Sequence, residues 1–288
     1  MVFLKPAAMH LLVGAGRLSQ HLRDSDWIIF DCRHDLFEAS RGARVYGEGH
    51  VPGAIFVPVE TALSGTKTGT NGRHPLPRAT DFAAFLNQHG VTPATQLVAY
   101  DDAGGQYAAR LWWLARWIGL TRVAVLDGGW IKWLADGRPV TPEVRARRGG
   151  GTVVAQPDSA PVCSAADVLA GVQAGESHVL DARTAERFRG ENEPIDPIAG
   201  CIPTARNRAF KLNLNPDQTM RPASELKCEF EALLGAWRPA QVIHQCGSGV
   251  TACANLLAME YAGLRGSKLY PGSWSEWIAD PARPLARG

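Results

Sequence analysis

The chain is written twice. A short apolar run ending in an acid, WIIFDCR (27–33), is answered by HVLDAR (178–183), with Asp31 and Asp181 standing 150 positions apart. GHVPGA (49–54) is answered by GCIPTA (200–205), and QLVAYDDAGG (96–105) by QVIHQCGSGV (241–250). Gly119-Leu120 is matched by Gly263-Leu264, and GGWIKW (128–133) by GSWSEW (272–277), 144 positions on. Echoes in one order at a nearly constant offset do not arise by chance, and the period is far longer than that of a solenoid repeat. A chain of 288 residues has room for two domains. The pattern therefore predicts a duplicated domain, at 1–140 and 163–288. The stretch between them, TPEVRARRGGGTVVAQPDSAPV (141–162), mixes Pro, Gly, Ser and charge and reads as the linker.

Within each half, short apolar runs alternate with helical patterns. LVAY (97–100), VAVLD (123–127), HVLD (178–181) and QVIH (241–244) are brief, bounded by turn residues, and read as buried strands. ATDFAAFLNQHG and ASELKCEFEALLG carry apolar residues at helical spacing and end in Gly, a common helix stop. The alternation predicts an α/β fold in each half, a mainly parallel sheet with helices on both faces. In such sheets ligands sit at the carboxyl ends of the strands.

That rule turns attention to Cys246, which stands just past the predicted strand 241–244 and before a predicted helix, 251–264. Gly247 and Gly249 let the backbone curl so that several N–H groups face one point. Such a nest at a helix N-terminus favours an anion, and a thiolate held there is a nucleophile. Cys253 falls within the helix and is expected to pack, as are Cys32, Cys163, Cys201 and Cys228. The six cysteines are scattered over a large chain with no CxxC pair, which argues against a disulfide framework, a zinc ribbon or a dithiol centre. No His or Cys stands at metal-ligand spacing to Cys246, so no metal or cofactor is expected.

Phosphate-ester chemistry is excluded by counting. Cysteine phosphatases place an arginine six positions after the nucleophile, and here that position is Ala252; the charge clamp is missing. A formal net charge of +2 with no basic stripe gives no footprint for nucleic acid. The most basic run, Arg145, Arg147 and Arg148, lies beside three glycines and reads as solvated linker. The N-terminal MVFLKPAAMHLLVGAG lacks the plan of a secretory signal, and no apolar stretch reaches the ~18 residues of a membrane span. A cytoplasmic location is expected. In the first half, the 144-residue offset puts Asp102 in the place of Cys246. An aspartate cannot serve as a sulfur nucleophile, so the first domain is expected to be catalytically silent.

The motifs GHVPGA, LDGGW (126–130), RFRGENEPIDP (187–197), CGSGVTA (246–252) and GSWSEW resemble the tandem-domain rhodanese-like sulfurtransferases, which act on thiosulfate or 3-mercaptopyruvate, and the resemblance covers nearly the whole chain. It implies two rhodanese domains with the C-terminal one active. Cys246 would take a sulfane sulfur as a persulfide and pass it to a thiophilic acceptor: cyanide, a thiol or thioredoxin. The amides of Gly247, Ser248, Gly249, Val250 and Thr251 would hold the charged sulfur, and Thr251 would also cap the helix. The Gly-Ser pair after the cysteine resembles the mercaptopyruvate type. In that type a loop serine works with a histidine and an acid from the first domain; here these would be Ser248, His74 (in RHPLP) and Glu60 (in VPVE, where Asp is commoner). Arg187 matches the family's substrate arginine, suited to a carboxylate. The second substrate arginine falls near Ile195, a departure that leaves Arg189 and Arg206 as nearby substitutes. Cys201 and Thr204 depart from the family's His and Gly. Thiosulfate stays open as the preferred donor, and a sulfur-carrier or regulatory module as the alternative role.

Overall fold

The computed structural model describes residues 10–144, 149–157, 159–176 and 178–288. The basic run Arg145, Arg147 and Arg148, and the start of the N-terminal segment, lie outside the described residues. The first half holds strands β1 (Leu12–Val13), β2 (Trp27–Asp31), β3 (Ile55–Phe56), β4 (Gln96–Tyr100) and β5 (Val123–Leu126). They form one sheet in the order β1-β5-β4-β2-β3. The second half holds β6 (Val179–Asp181), β7 (Arg206–Asn207), β8 (Ile243–Gln245) and β9 (Lys268–Leu269), in the order β7-β6-β8-β9. Every strand pairing in both sheets is parallel. A parallel bridge from Val162 to Leu269 extends the second sheet at the edge that β1 occupies in the first. The two sheets therefore share one topology.

Alternate residues of the first sheet enter different cores. Ile28, Phe30, Leu97, Ala99, Val123 and Val125 belong to one, and Ile29, Val98, Tyr100, Ala124 and Leu126 to the other. A sheet covered on both faces has no polar side, which is why its strands read as unbroken apolar runs. The predicted strand 241–244 is displaced: Pro239–Gln241 forms a 3-10 turn, and β8 starts at Ile243 and runs through Gln245. Cys246 is thus the first residue beyond the strand. The predicted helix 251–264 runs Ala252–Tyr261, with residues 252 to 259 all buried. The helices read from ATDFAAFLNQHG and ASELKCEFEALLG run Ala79–Gln88 and Ala223–Leu234.

The repeated motifs turn out to be one buried assembly built twice. Arg33 donates Nε and Nη2 to Asp31, donates Nη2 to the carbonyl of Gly49 at 2.7 Å, and lies 4.4 Å from the ring centre of Trp130. Arg183 repeats each contact with Asp181, the carbonyl of Gly200 at 2.7 Å and Trp274 at 4.8 Å. Each guanidinium is buried, paired and stacked, so losing one partner would strand a charge at a cost of roughly 3–5 kcal/mol. GHVPGA and GCIPTA also share a backbone shape. Thr204 holds φ 65° where its counterpart Gly53 holds φ 78°, so a β-branched residue occupies the left-handed region. Cys201 is buried and bridges Ala286, much as His50 bridges Thr141.

The stretch between the halves lies along the first one. Val153 exchanges hydrogen bonds with the Asn87 side chain (2.7 and 3.0 Å), and the Gln156 amide donates to Ile118. The halves themselves share a core. The helix Gln106–Trp117 packs on Ala252–Tyr261, and the first half's apolar cluster runs on into Val250, Ala252, Cys253, Leu256 and Leu257. A cleft opens between them at the strand ends, where both Cys246 and His74 line the wall.

Candidate active site

The loop after β8 wraps its own sulfur. The Cys246 Sγ accepts the N–H of Gly249 at 3.2 Å and that of Ser248 at 3.5 Å. Two loop amides therefore meet the sulfur, out of the five expected from the sequence. The loop is pinned from behind by GSWSEW, the second copy of the tryptophan motif. Cys246 donates its own N–H to Ser273 Oγ, while Trp274 and Ser275 donate N–H to the carbonyls of Cys246 and Gly247. Gly249 sits at φ 78°, and a Cβ there would collide with the Pro271 carbonyl oxygen, so only glycine fits. Val250 is buried beneath the loop. Thr251 does not cap the helix. Its hydroxyl donates across the cleft to Gln106 Oε1 at 2.7 Å, because the helix-like backbone of Thr251 turns Oγ1 away from the first turn's amides.

The first half contains the same loop, and the residue in the place of Cys246 is Asp101, not Asp102. Tyr100 pairs with Asp31 as Gln245 pairs with Asp181, and Trp130 donates to the Asp101 carbonyl as Trp274 does to that of Cys246. The offset here is one residue longer than at the tryptophans. The Asp101 carboxylate fills the loop it belongs to, accepting N–H bonds from Ala103, Gly105, Tyr107 and Ala108 at 2.8–2.9 Å. Asp102 lies outside, paired with Arg41.

The structure brings Ser248, His74 and Glu60 into a chain across the two halves. Ser248 Oγ lies 2.7 Å from His74 Nδ1, and His74 Nε2 lies 2.9 Å from Glu60 Oε1. Burial would raise the Glu60 carboxyl, but hydrogen bonds from Lys67 and His74 outweigh it and hold the carboxyl below its usual range. An ionised carboxylate only accepts, so the neutral ring carries its proton on Nε2, and Nδ1 accepts the Ser248 hydroxyl. Burial pushes the His74 imidazole down to about 4, with Glu60 opposing the shift. In an NMR titration, the imidazole signal missing from a His74→Gln protein should move near pH 4. Movement near the ordinary histidine value of about 6.5 would mean that the ring is solvated and the chain is not formed.

Two arginines close the other side. Arg187 projects from the short helix Ala185–Arg189 and is held by Glu193 and Asp196, with Nε 3.0 Å from Glu193 and Nη2 2.9 Å from Asp196. The second is Arg73, the residue before His74, which pairs with Asp196 from the opposite half. A Cβ on Gly247 would lie 2.7 Å from Arg73 Nη2 and 3.3 Å from Arg187 Nη2, so both guanidinium groups sit directly over the residue after Cys246. Arg73 Nε is buried without a hydrogen-bond partner among the described residues. Neither expected substitute reaches the cleft. Arg189 is exposed and paired with Glu191, and Arg206 lies on Trp237 and donates to the carbonyls of Leu233 and Leu234. Ile195 itself lines the cleft.

Arg110 carries no motif that marks it in the sequence. Fully buried in the helix Gln106–Trp117, it donates to the carbonyls of Leu63, Gly249 and His74 at 3.1–3.3 Å, tying the loop and the histidine together. Cys253 is buried behind the loop, its thiol pushed up to about 12 by burial, against the opposing pull of Arg110. Cys32, Cys163 and Cys201 are buried as expected; Cys228 is exposed, because the helix Ala223–Leu234 turns Leu226 and Phe230 inward instead. The cleft has a volume of about 380 Å³. No helix among the described residues is long and apolar enough to cross a membrane.

Comparison with known proteins agrees with this geometry. The family model for the Rhodanese-like domain matches twice, at residues 14–136 and 164–280. A probable 3-mercaptopyruvate sulfurtransferase of Pseudomonas aeruginosa is 44% identical over 279 residues, covering 96% of this chain and 98% of that protein. A putative thiosulfate sulfurtransferase, SseB, of Mycobacterium tuberculosis is 37% identical over 292 residues, covering 96% and 97%. Among solved structures, the 3-mercaptopyruvate sulfurtransferase SseA of Escherichia coli superposes with a TM-score of 0.79 at 32% identity, covering 92% of this chain and 99% of that one. With two matched domains, two parallel sheets of one topology and a cysteine loop at the end of the second, the chain belongs to the tandem-domain rhodanese-like sulfurtransferases.

Proposed function

We propose that the protein moves sulfur from 3-mercaptopyruvate to a thiol acceptor through a persulfide on Cys246. The observation that carries this reading is the Ser248–His74–Glu60 chain beside the sulfur. The Cys246 thiolate attacks the substrate sulfur, an S–S bond forms, and the C–S bond breaks with its electron pair left on carbon. The resulting enolate of pyruvate needs a proton, and the substrate's own thiol has one to give up. A neutral His74 that accepts from Ser248 is set to take that proton through the hydroxyl and return it to the methylene carbon, with Glu60 steadying the transient imidazolium. Atoms and charge then balance: mercaptopyruvate and thiolate become pyruvate and Cys–S–S⁻. The amides of Ser248 and Gly249 stabilise the negative sulfur, and Arg187 and Arg73 hold the substrate carboxylate. The first domain contributes His74, Glu60 and Arg73 but no nucleophile.

One observation favours thiosulfate as the better donor: two guanidinium groups converge next to the sulfur, which suits a dianion, and thiosulfate needs no proton relay. The readings separate on kcat/KM with cyanide as acceptor. A preference for 3-mercaptopyruvate of about tenfold or more, abolished by His74→Gln, is the expected result, since general acid–base groups typically contribute ~10²–10⁴-fold. Preference for thiosulfate, unchanged by that substitution, would overturn the relay. Six free cysteines support a reducing, cytoplasmic setting in which a thiol such as reduced thioredoxin is the acceptor.

A further inference from the structure

His34 has no part in the chemistry above, yet it is 7% exposed, and its Nε2 finds no hydrogen-bond partner among the described residues. It follows the buried pair Asp31–Arg33 at the end of β2 and packs edge-on against Tyr107, with ring centres 5.1 Å apart. A buried polar nitrogen left unmatched costs roughly 1–3 kcal/mol and calls for a reason. Its surroundings supply one. Glu60 Oε1 lies 3.7 Å from His34 Nε2 and 2.9 Å from His74 Nε2, and ligand atoms of all three residues fall within 4.8 Å of one another.

We propose that His34, Glu60 and His74 form a binding site for a zinc-like divalent cation. Two imidazoles and a carboxylate are a common zinc ligand set. Burial lowers the His34 imidazole against the opposing effect of Glu60, and it lowers His74 as well, so both rings offer the neutral form that a metal needs. Tetrahedral bonds of about 2.0–2.1 Å place ligand atoms roughly 3.3 Å apart, so the 3.7 Å between His34 and Glu60 has to shrink and the 2.9 Å between His74 and Glu60 has to widen, while the two imidazole nitrogens already lie within 4.8 Å of each other. His34 and His74 line the cleft, and Glu60 lines a second pocket with Lys67. Ser248 stays on Nδ1 and becomes the outer partner that orients a metal-bound imidazole. Lys67, on Glu60 Oε2 at 2.7 Å, is half exposed and free to swing away. Lys67 and the buried Arg110 both repel a second cation near His74, which weakens the site.

The site would act as a brake. A metal on Nε2 forces the ring proton onto Nδ1, so His74 can no longer accept from Ser248. The binding stands on its own geometry; only the inhibition rests on the proposed relay.

The test is calorimetric titration of zinc chloride into the Cys246→Ser protein, which removes the competing thiolate. Zinc should bind, and His34→Phe in the same background should weaken it at unchanged Tm by more than the roughly ten- to hundredfold that losing an outer partner costs. If His34→Phe does not fold, Glu60→Gln carries the same comparison. Absence of binding, or equal affinity with and without these side chains, overturns the site. With Cys246 restored, His34→Phe should raise the zinc concentration needed for half-inhibition by a similar factor. Binding without inhibition would uphold the site and overturn the relay instead.

Discussion

Replacing Cys246 with serine is expected to lower sulfur transfer by on the order of 10⁴-fold or more, for either donor, since removing a covalent nucleophile leaves only binding and loop electrostatics. The introduced serine hydroxyl would keep the loop hydrogen bonds in outline but offers neither a stable anion nor a sulfur to extend. Cys253→Ser is the matched control. Its thiol points to the Gly249 carbonyl at 3.4 Å and away from the cleft, so most of the rate should survive. Steady-state assays with cyanide decide both points, with mass spectrometry to find the added sulfur on Cys246. Undiminished turnover in Cys246→Ser would sink the mechanism, and an inactive Cys253→Ser would show that the second thiol takes part.

Arg110→Met is expected to destabilise the fold by about 2–5 kcal/mol, read from urea denaturation, because three buried carbonyls lose their donor at once. Burial works against the arginine's charge, and the carbonyls of Leu63, His74 and Gly249 are what it has in return. Methionine fills much of the volume but satisfies none of them. The same substitution should lower kcat more than it raises KM, because the residues released are the relay histidine and the loop glycine, not the guanidinium groups proposed to hold substrate. A loss below about 1 kcal/mol would mean that water replaces the guanidinium without strain.

Much of this is legible in the sequence alone. The duplication carries the fold, because three of the five echoes mark pieces of one buried unit: acid and arginine, glycine carbonyl, and tryptophan. Motifs single out Cys246, Ser248, His74, Glu60 and Arg187, and the structure gathers four of them around one cleft, with Glu60 joined through His74. What escapes the sequence depends on distance across the halves. Arg73 is one residue from His74, but nothing in RHPLP says that its side chain reaches Asp196 and Gly247 in the other half. Arg110 sits in a helix so apolar that a charge there is itself a signal; an arginine buried within QYAARLWWLARW has to meet acceptors somewhere. The expected Thr251 cap fails on its helix-like backbone, and the partner its hydroxyl takes instead, Gln106, belongs to the other half. Counting back from the tryptophans lands on Asp102, and a one-residue difference in loop length moves the true counterpart to Asp101.

Asp101 has a consequence for how the two copies divide their labour. Its carboxyl group already accepts four amides of its own loop and the helix that follows, so that half is built with its acceptor as a permanent part of the chain. The other half commits only two amides to a single sulfur atom and keeps room for what arrives. One copy is a finished lock with the key cast in place, and the other stays open beside it. On the proposed function, a duplicated gene relieves one copy of turnover and turns it into fixed masonry, against which the other copy borrows a histidine, an acid and an arginine.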